Sequence, residues 1–256
     1  MAVEYPSEMI EKLELLWGEG FLSPGGDEEV RRVVRGIDLR DAEVLDIGCG
    51  TCGPAVALAR DCGARVTAAD VEDLVLEKGR AHVARAGLSD RITCVRIEPG
   101  PLPFPNARFD CVFSKDALIH VPDKEALYSE ILRVLKPAGI FVASDWLAGE
   151  NAYEDAEFRA FAGRDDLSFS MATAAETAAT MRKVGFSDVE AEDRNAWYAE
   201  RAARELRLLL GELREQAIEM LGQTAYDSWI VMRKRIASVA ESGSLRPTDL
   251  RGRRAG

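Results

Sequence analysis

The sequence predicts an α/β protein: a doubly wound, mostly parallel sheet with a helical lid at its N-terminal end and a helical cap at its C-terminal end. Over residues 40–146, short β-prone runs alternate with amphipathic helical stretches, the pattern of strands joined by crossover helices. A β-prone run at 44–47 enters a turn with glycines at 48, 50 and 53, and Pro54 then opens a helix where its missing N–H costs nothing. Beyond Trp146 the pattern turns mainly helical, so a cap is expected after the core. The expected organisation is a lid over 1–26, a core with inserted helices over 27–195, and a cap with tail over 196–256.

Taken in order, residues 7–18 set Met9, Ile10, Leu13, Leu16 and Trp17 on one helical face. A glycine-rich loop follows, and Asp27 is expected to cap a helix carrying Val30, Val33 and Val34. After the central loop come a helix over 54–61, a strand over 65–71 ending in Asp70, a helix over 73–86 and a strand over 91–97. The stretch 98–105 is too rich in proline for any regular element. A buried strand is expected at 110–114, a helix at 123–135, a break at Lys136-Pro-Ala-Gly139 and a fifth strand at 140–146. Further helices are expected at 152–163 and 174–184, a sixth strand at 186–192, and a nearly unbroken helical region over 197–241. The tail from 245 is expected to return as an edge strand or to fray, with its Arg-Gly-Arg-Arg charge solvated.

Composition narrows the function. A net charge of −11 disfavours nucleic acid or an anionic membrane as partner, since either wants a basic face. No apolar stretch approaches membrane-spanning length and the first twenty residues show no export pattern, so a cytoplasmic protein acting on small molecules is expected, a monomer or weak homo-oligomer. Five cysteines, an odd number, argue against a disulfide framework. Cys94 and Cys111 fall in strands and read as core; Cys49 and Cys52 form C-x-x-C but, without a second pair, read as small loop residues, and no metal is expected. His82, among arginines in mid-helix, is expected to face solvent.

The glycines at 48, 50 and 53 spell the dinucleotide fingerprint, which would seat a pyrophosphate on the helix N-terminus. Asp46 argues the other way: a carboxylate at the strand tip repels a phosphate and attracts an ammonium. Asp70, about twenty residues beyond the glycines, has the spacing of a ribose-hydroxyl acceptor. With Asp46 included, Asp-Ile-Gly-Cys-Gly-Thr resembles motif I of class I S-adenosylmethionine (SAM) methyltransferases. Asp70, Leu-Pro-Phe-Pro ahead of Phe109-Asp110, and Leu-Lys-Pro-Ala-Gly extend that resemblance over residues 40–146. It implies a Rossmann-like core and SAM as cofactor.

Trp17-Gly-Glu-Gly-Phe-Leu-Ser-Pro-Gly-Gly26, Ser114-Lys-Asp-Ala-Leu-Ile-His120 and Tyr226-Asp-Ser-Trp229 are similar to phosphoethanolamine and related small-amine N-methyltransferases. The resemblance implies that Tyr5 in the lid pairs with His120 to close over the substrate, with Asp116 near the acceptor amine. It places cofactor contacts on Ser23, Asp46, Gly48, Gly50, Asp70, Val71, Glu98, Pro99 and Lys115. Methyl transfer from a sulfonium is an in-line displacement in which alignment does most of the catalysis. An ammonium acceptor must first lose a proton, and a histidine, with an unperturbed pKa of about 6.5, suits that task.

Two departures bear on the substrate. Where the family has Asp and a residue giving an N–H to adenine, this chain has Glu98 and Pro99, which has none to give. Positions that clamp phosphate in the family hold Phe161, Leu167 and Met232, although Arg164, Arg233 and Lys234 are near, so that clamp is incomplete. Trp146, Phe161, Trp197 and Trp229 are candidates to wall a pocket for a methylated ammonium. The expected activity is methyl transfer to a small molecule, foremost an amine, phosphoethanolamine-like or other. The alternatives are O- or S-methylation and SAM binding without turnover.

Overall fold

A computed structural model describes residues 5–163 and 169–256; Arg164 and Leu167 lie outside them. The strands are β1 Glu43–Ile47, β2 Arg65–Asp70, β3 Ile92–Arg96, β4 Phe109–Lys115, β5 Leu135–Ala148, β6 Phe186–Asp193 and β7 Leu245–Arg254. They form one sheet in the order β3-β2-β1-β4-β5-β7-β6, parallel except for β7, which is antiparallel to both neighbours. The helices are α1 Ser7–Trp17, α2 Gly26–Val33, α3 Gly53–Cys62, α4 Asp73–Arg85, α5 Lys124–Val134, α6 Ala156–Ala162, α7 Ala174–Val184, α8 Asn195–Leu210, α9 Arg214–Leu221 and α10 Gln223–Glu241. Short 3-10 turns occupy Leu118–His120 and Ala152–Glu154.

The centre of the sheet is where the sequence is most uniformly apolar. In β1 and β4 nearly every residue is buried, because crossover helices cover both faces. One apolar layer joins the sheet to α2, α3 and α4; the other joins it to α5 and α7. A third cluster, built from Trp146, Phe158, Phe161, Tyr198 and Ile236, lies past the end of β5 and carries the cap. Each fully buried large side chain contributes roughly 1.5–3 kcal/mol.

Several expectations change in the fold. The tail neither frays nor forms an edge: β7 is an inner strand, and β6 takes the edge, protected by exposed acidic residues and by a register shift between Ser187 and Glu190. The basic residues of the tail are not simply solvated. Arg251 donates to the carbonyls of Val33 and Arg35, and Arg254 to those of Leu132 and Arg133, so both close helix C-terminal ends. Asp27 does not cap α2; the capping position is Gly25, and Asp27 instead accepts from Arg60 at 2.6 Å.

The helical region over 197–241 is three helices, interrupted at Gly211 and Gly222. The 136–139 break is a bulge at the start of β5, where the pairing slips from Phe109↔Leu135 to Cys111↔Ile140. Residues 152–163 divide into a 3-10 turn and α6.

Candidate active site

The site forms at the carboxyl ends of β1, β2, β4 and β5, where strand order reverses between β1 and β4. The Gly48 N–H donates to Ala69 O at 2.8 Å, which ties the glycine turn to the tip of β2. Gly48 has φ +71°, and a Cβ there would lie 2.3 Å from the Ala117 Cβ. Only glycine lets the loop after β4 come this close to the loop after β1. Ser114 Oγ locks the same junction by donating to Ile47 O at 2.7 Å.

Asp46 sits at this junction, 1% exposed, and neither carboxylate oxygen has a partner among the described residues. Burial, with smaller contributions from the Asp70 and Cys94 charges, pushes its pKa up to about 8. A buried carboxylate without a partner is costly, on the order of several kcal/mol, and an arriving cation removes most of that cost. Asp70 is different: it accepts from the Gly50 N–H at 2.9 Å and the Glu72 N–H at 3.0 Å, which brace the turn against β2. Burial raises its pKa although those amides oppose it. Val71, Glu98 and Pro99 lie exposed on the open side of β2 and β3, and Glu98 pairs with Arg96 at 3.1 Å.

The loop after β4 carries the next group. Lys115 Nζ donates to Ser23 Oγ at 2.9 Å and to Asp116 Oδ2 at 2.6 Å, so residues from the lid loop and the sheet meet around one ammonium. Burial raises the pKa of Asp116, while Lys115 and Ser23 pull it down. Asp116 holds φ +53°, uncommon for a residue with a side chain, and its N–H is fixed to Ser144 O at 2.7 Å. Two residues on, the Leu118–His120 turn presents His120, whose Nε2 lies 3.3 Å from the Tyr5 hydroxyl. Phe169 packs on the imidazole at 5.4 Å between ring centroids.

Asp145 supports this turn from below. It is buried at the end of β5, where the Ile119 and Trp146 amides hydrogen-bond its carboxyl and one oxygen has no partner among the described residues. Burial pushes its pKa up to about 8, with Lys124 opposing and Asp116 adding to the rise. Lys124 Nζ donates to Leu118 O at 2.6 Å, so a buried acid and its countercharge hold both sides of one 3-10 turn.

Tyr5, Asp116 and His120 open onto a cavity of about 440 Å³, enclosed by α1, the turn, β5 and α10. Trp17, Trp146, Trp229 and Phe169 line it. Of the aromatic candidates, Phe161 instead lies buried behind Trp146, with centroids 6.0 Å apart, and Trp197 stacks on Arg194 away from the cavity.

Three contacts escaped the sequence. Glu14 accepts from the Gly20 N–H at 2.9 Å and Thr51 Oγ at 3.0 Å, latching the lid onto the glycine turn. Glu205, buried on α8, accepts from Trp17 Nε1 at 2.9 Å and from Arg233, tying cap to lid. His82 is half-buried rather than solvent-facing, and its Nδ1 lies 3.1 Å from Thr51 O. Each looks in sequence like an ordinary charged or polar residue on a helix. Cys49, Cys52 and Cys94 touch at 3.9 and 3.7 Å beneath the turn; contact with Cys52 pulls the Cys49 thiol down while burial and nearby charges lift it to about 12, and contact together with burial raises Cys52 and Cys94.

Residues 45–143 match a family described as a methyltransferase domain. The sterol 24-C-methyltransferase of Eremothecium gossypii is 37% identical over 158 residues, 59% of this chain and 42% of that protein, so the chain spans about two fifths of that relative's length. Among solved structures, phosphoethanolamine N-methyltransferase 2 of Haemonchus contortus with bound SAM superposes with a TM-score of 0.92 at 22% identity, over 100% of this chain and 59% of that one. The [4+2]-cyclase SpnF superposes with a TM-score of 0.79 at 20% identity, over 97% and 94% of the two chains. Sheet order and glycine turn are those of the Rossmann-like methyltransferase fold, and the methyltransferase domain matches its first five strands. The matched domain covers about two fifths of this chain, and the phosphoethanolamine N-methyltransferase 2 structure that superposes on the whole of it holds SAM. The unpartnered Asp46 carboxylate suits a ligand that carries an ammonium.

Proposed function

We propose that this protein transfers a methyl group from SAM to the nitrogen of a small-molecule amine in the cytoplasm. The observation that carries the reading is the approach of Tyr5 to His120 at 3.3 Å, beside Asp116 and on the lining of the cavity. When bound, SAM supplies an electrophilic methyl on a sulfonium. On the cofactor side, Asp46 would meet its ammonium, Asp70 and Val71 its ribose and adenine, and Gly48, Gly50, Ser23 and Lys115 would shape the path between. Pro99 offers adenine an apolar face in place of an N–H, and Glu98 lies at the same edge.

On the acceptor side, His120 takes the proton from the ammonium and frees the nitrogen lone pair. Tyr5 orients the imidazole and excludes water from the cavity mouth. Asp116, already paired with Lys115, attracts the cationic amine before the proton leaves and stabilises the methylated cation afterwards.

The similarity to a sterol 24-C-methyltransferase, together with the apolar cavity lining, supports a second reading with a carbon acceptor. There, methylation of an alkene would place positive charge on carbon, and His120 would remove a proton from the neighbouring carbon to restore a double bond. The deciding experiment incubates the protein with methyl-labelled SAM and a panel of amines, alcohols, thiols and alkenes, then identifies the labelled atom by mass spectrometry. Label on nitrogen, lost in His120→Ala while SAM binding persists, supports the first reading. Label on carbon overturns it in favour of the second, and no label on any acceptor overturns both.

A further inference from the structure

The cavity beside His120 is large for a two-carbon substrate. Its volume of about 440 Å³ exceeds what a phosphoethanolamine-sized molecule fills, since such a molecule displaces about five waters, roughly a third of the space. Met9, Leu13, Ala225, Trp229, Met232 and Ile236, on α1 and α10, give the cavity a largely apolar wall, with Glu8, Lys12 and Arg233 of the same helices among them. Wetting that wall is unfavourable, and a short polar acceptor would leave it wet.

The charges that do line the cavity are of both signs. Glu8 and Lys12 lie one turn apart on α1. Arg233 is buried and bonded to Glu205, a carboxylate it shares with Arg201, and its guanidinium lies 5.6 Å from the Trp17 ring. Lys115 is likewise paired with Asp116. Arg233 and Lys115 thus each already hold a carboxylate neighbour. Arg233 Nε has no partner among the described residues, so one N–H remains to meet an oxygen of a bound molecule.

We propose that the acceptor is an amine on an apolar alkyl or aryl body, its nitrogen at His120 and Asp116 and its carbon body against α1 and α10. This rests on the amine-methylating reading of the same site, and deepens it by naming the substrate class. Flexible, unbranched Met9 and Met232 suit such a wall, because they adapt to bodies of different shape. The incomplete phosphate clamp agrees: Phe161 is buried in the cap and Met232 is part of the apolar wall.

The test measures binding, so that it does not depend on turnover. Protein saturated with S-adenosylhomocysteine is titrated by calorimetry with octylamine, 2-phenylethylamine, ethanolamine and phosphoethanolamine. The first two are expected to bind at least about tenfold tighter than the last two. Ala225→Trp puts an indole into the cavity and is expected to shrink that preference; Ser228→Trp, one turn along α10, is the second variant should the first not fold. Phosphoethanolamine binding as tightly as octylamine, or a preference untouched by a folded Ala225→Trp or Ser228→Trp protein, overturns the proposal. A labelled-SAM assay separates the two claims. Octylamine bound but never methylated, with a bulky alkene or alcohol methylated instead, sinks the amine reading and leaves the apolar class standing. Tight binding and methylation of phosphoethanolamine does the reverse.

Discussion

The two halves of the site are built in opposite ways. The cofactor side is backbone held at strand tips: the turn at 48–53 is fixed by amides donating to Ala69 O and Asp70, and its one costly feature is a buried carboxylate waiting for a cation. The acceptor side is all side chains, drawn from α1, the 118–120 turn, β5 and α10, and held together by long-range contacts such as Glu205 with Trp17 and Arg233. Backbone architecture of the first kind tolerates little change. Walls made of side chains can be refitted to a new substrate without disturbing the sheet.

If the halves are as separable as they look, substitutions should split cleanly between methyl transfer and cofactor affinity. His120→Ala is expected to slow transfer by about 10²–10⁴-fold and to leave SAM affinity, measured by calorimetry, unchanged; a parallel loss of affinity would break the comparison. Asp46→Asn is expected to do the opposite, weakening SAM binding by about 10–100-fold through loss of a charge-assisted contact. With the Asp46 pKa near 8 in the free protein, binding an ammonium at pH 7 ionises it and releases a proton. Calorimetry in buffers of different ionisation enthalpy should detect that proton in the wild type and lose it in Asp46→Asn.

Gly20→Ala probes the seam between the halves. A Cβ there would lie 2.1 Å from His82 Cε1, and Gly20 has φ +85°, so the lid loop must lift from the glycine turn. The expected cost is about 1–3 kcal/mol, a fall in Tm of roughly 2–4 °C per kcal/mol. A further effect comes from pH. Asp46 and Asp145 both stand near 8 in the folded protein against about 3.9 for a free aspartate, so between those values the folded state binds more protons than the unfolded state. Stability of the ligand-free protein therefore declines as pH rises from about 4 to about 8, and urea melts should show a shallower decline in Asp46→Asn. Tyr5→Phe, which removes one hydroxyl from the lid, should lower turnover by less than about tenfold and shift its pH profile.

Much of the glycine-turn half was legible before folding, because a strand, a glycine turn and a helix start are local: Asp46, Gly48, Gly50 and Asp70, the proposed cofactor contacts, fall within twenty-five residues. Crossover helices between apolar runs made the parallel core legible in the same way. Misreadings gathered where distant segments meet. The tail looked like an edge because nothing local to Leu245–Arg254 says that β6 will pair outside it. Its arginines looked solvated because the carbonyls they cap belong to helices some 120 and 215 residues away. His82 looked exposed because the lid and glycine turn that enclose it come from earlier parts of the chain.

By itself the sequence determined the period of each element, the glycines that permit a tight turn, and the carboxylates at two strand tips, since backbone conformation and side-chain alternation depend on near neighbours. Tertiary structure alone decided that Asp145 and Lys124 would hold the His120 turn, that Glu205 would join cap to lid, and that α1 and α10 would enclose an apolar cavity of about 440 Å³. Those outcomes depend on which surfaces bury one another, and burial is a property of the whole chain.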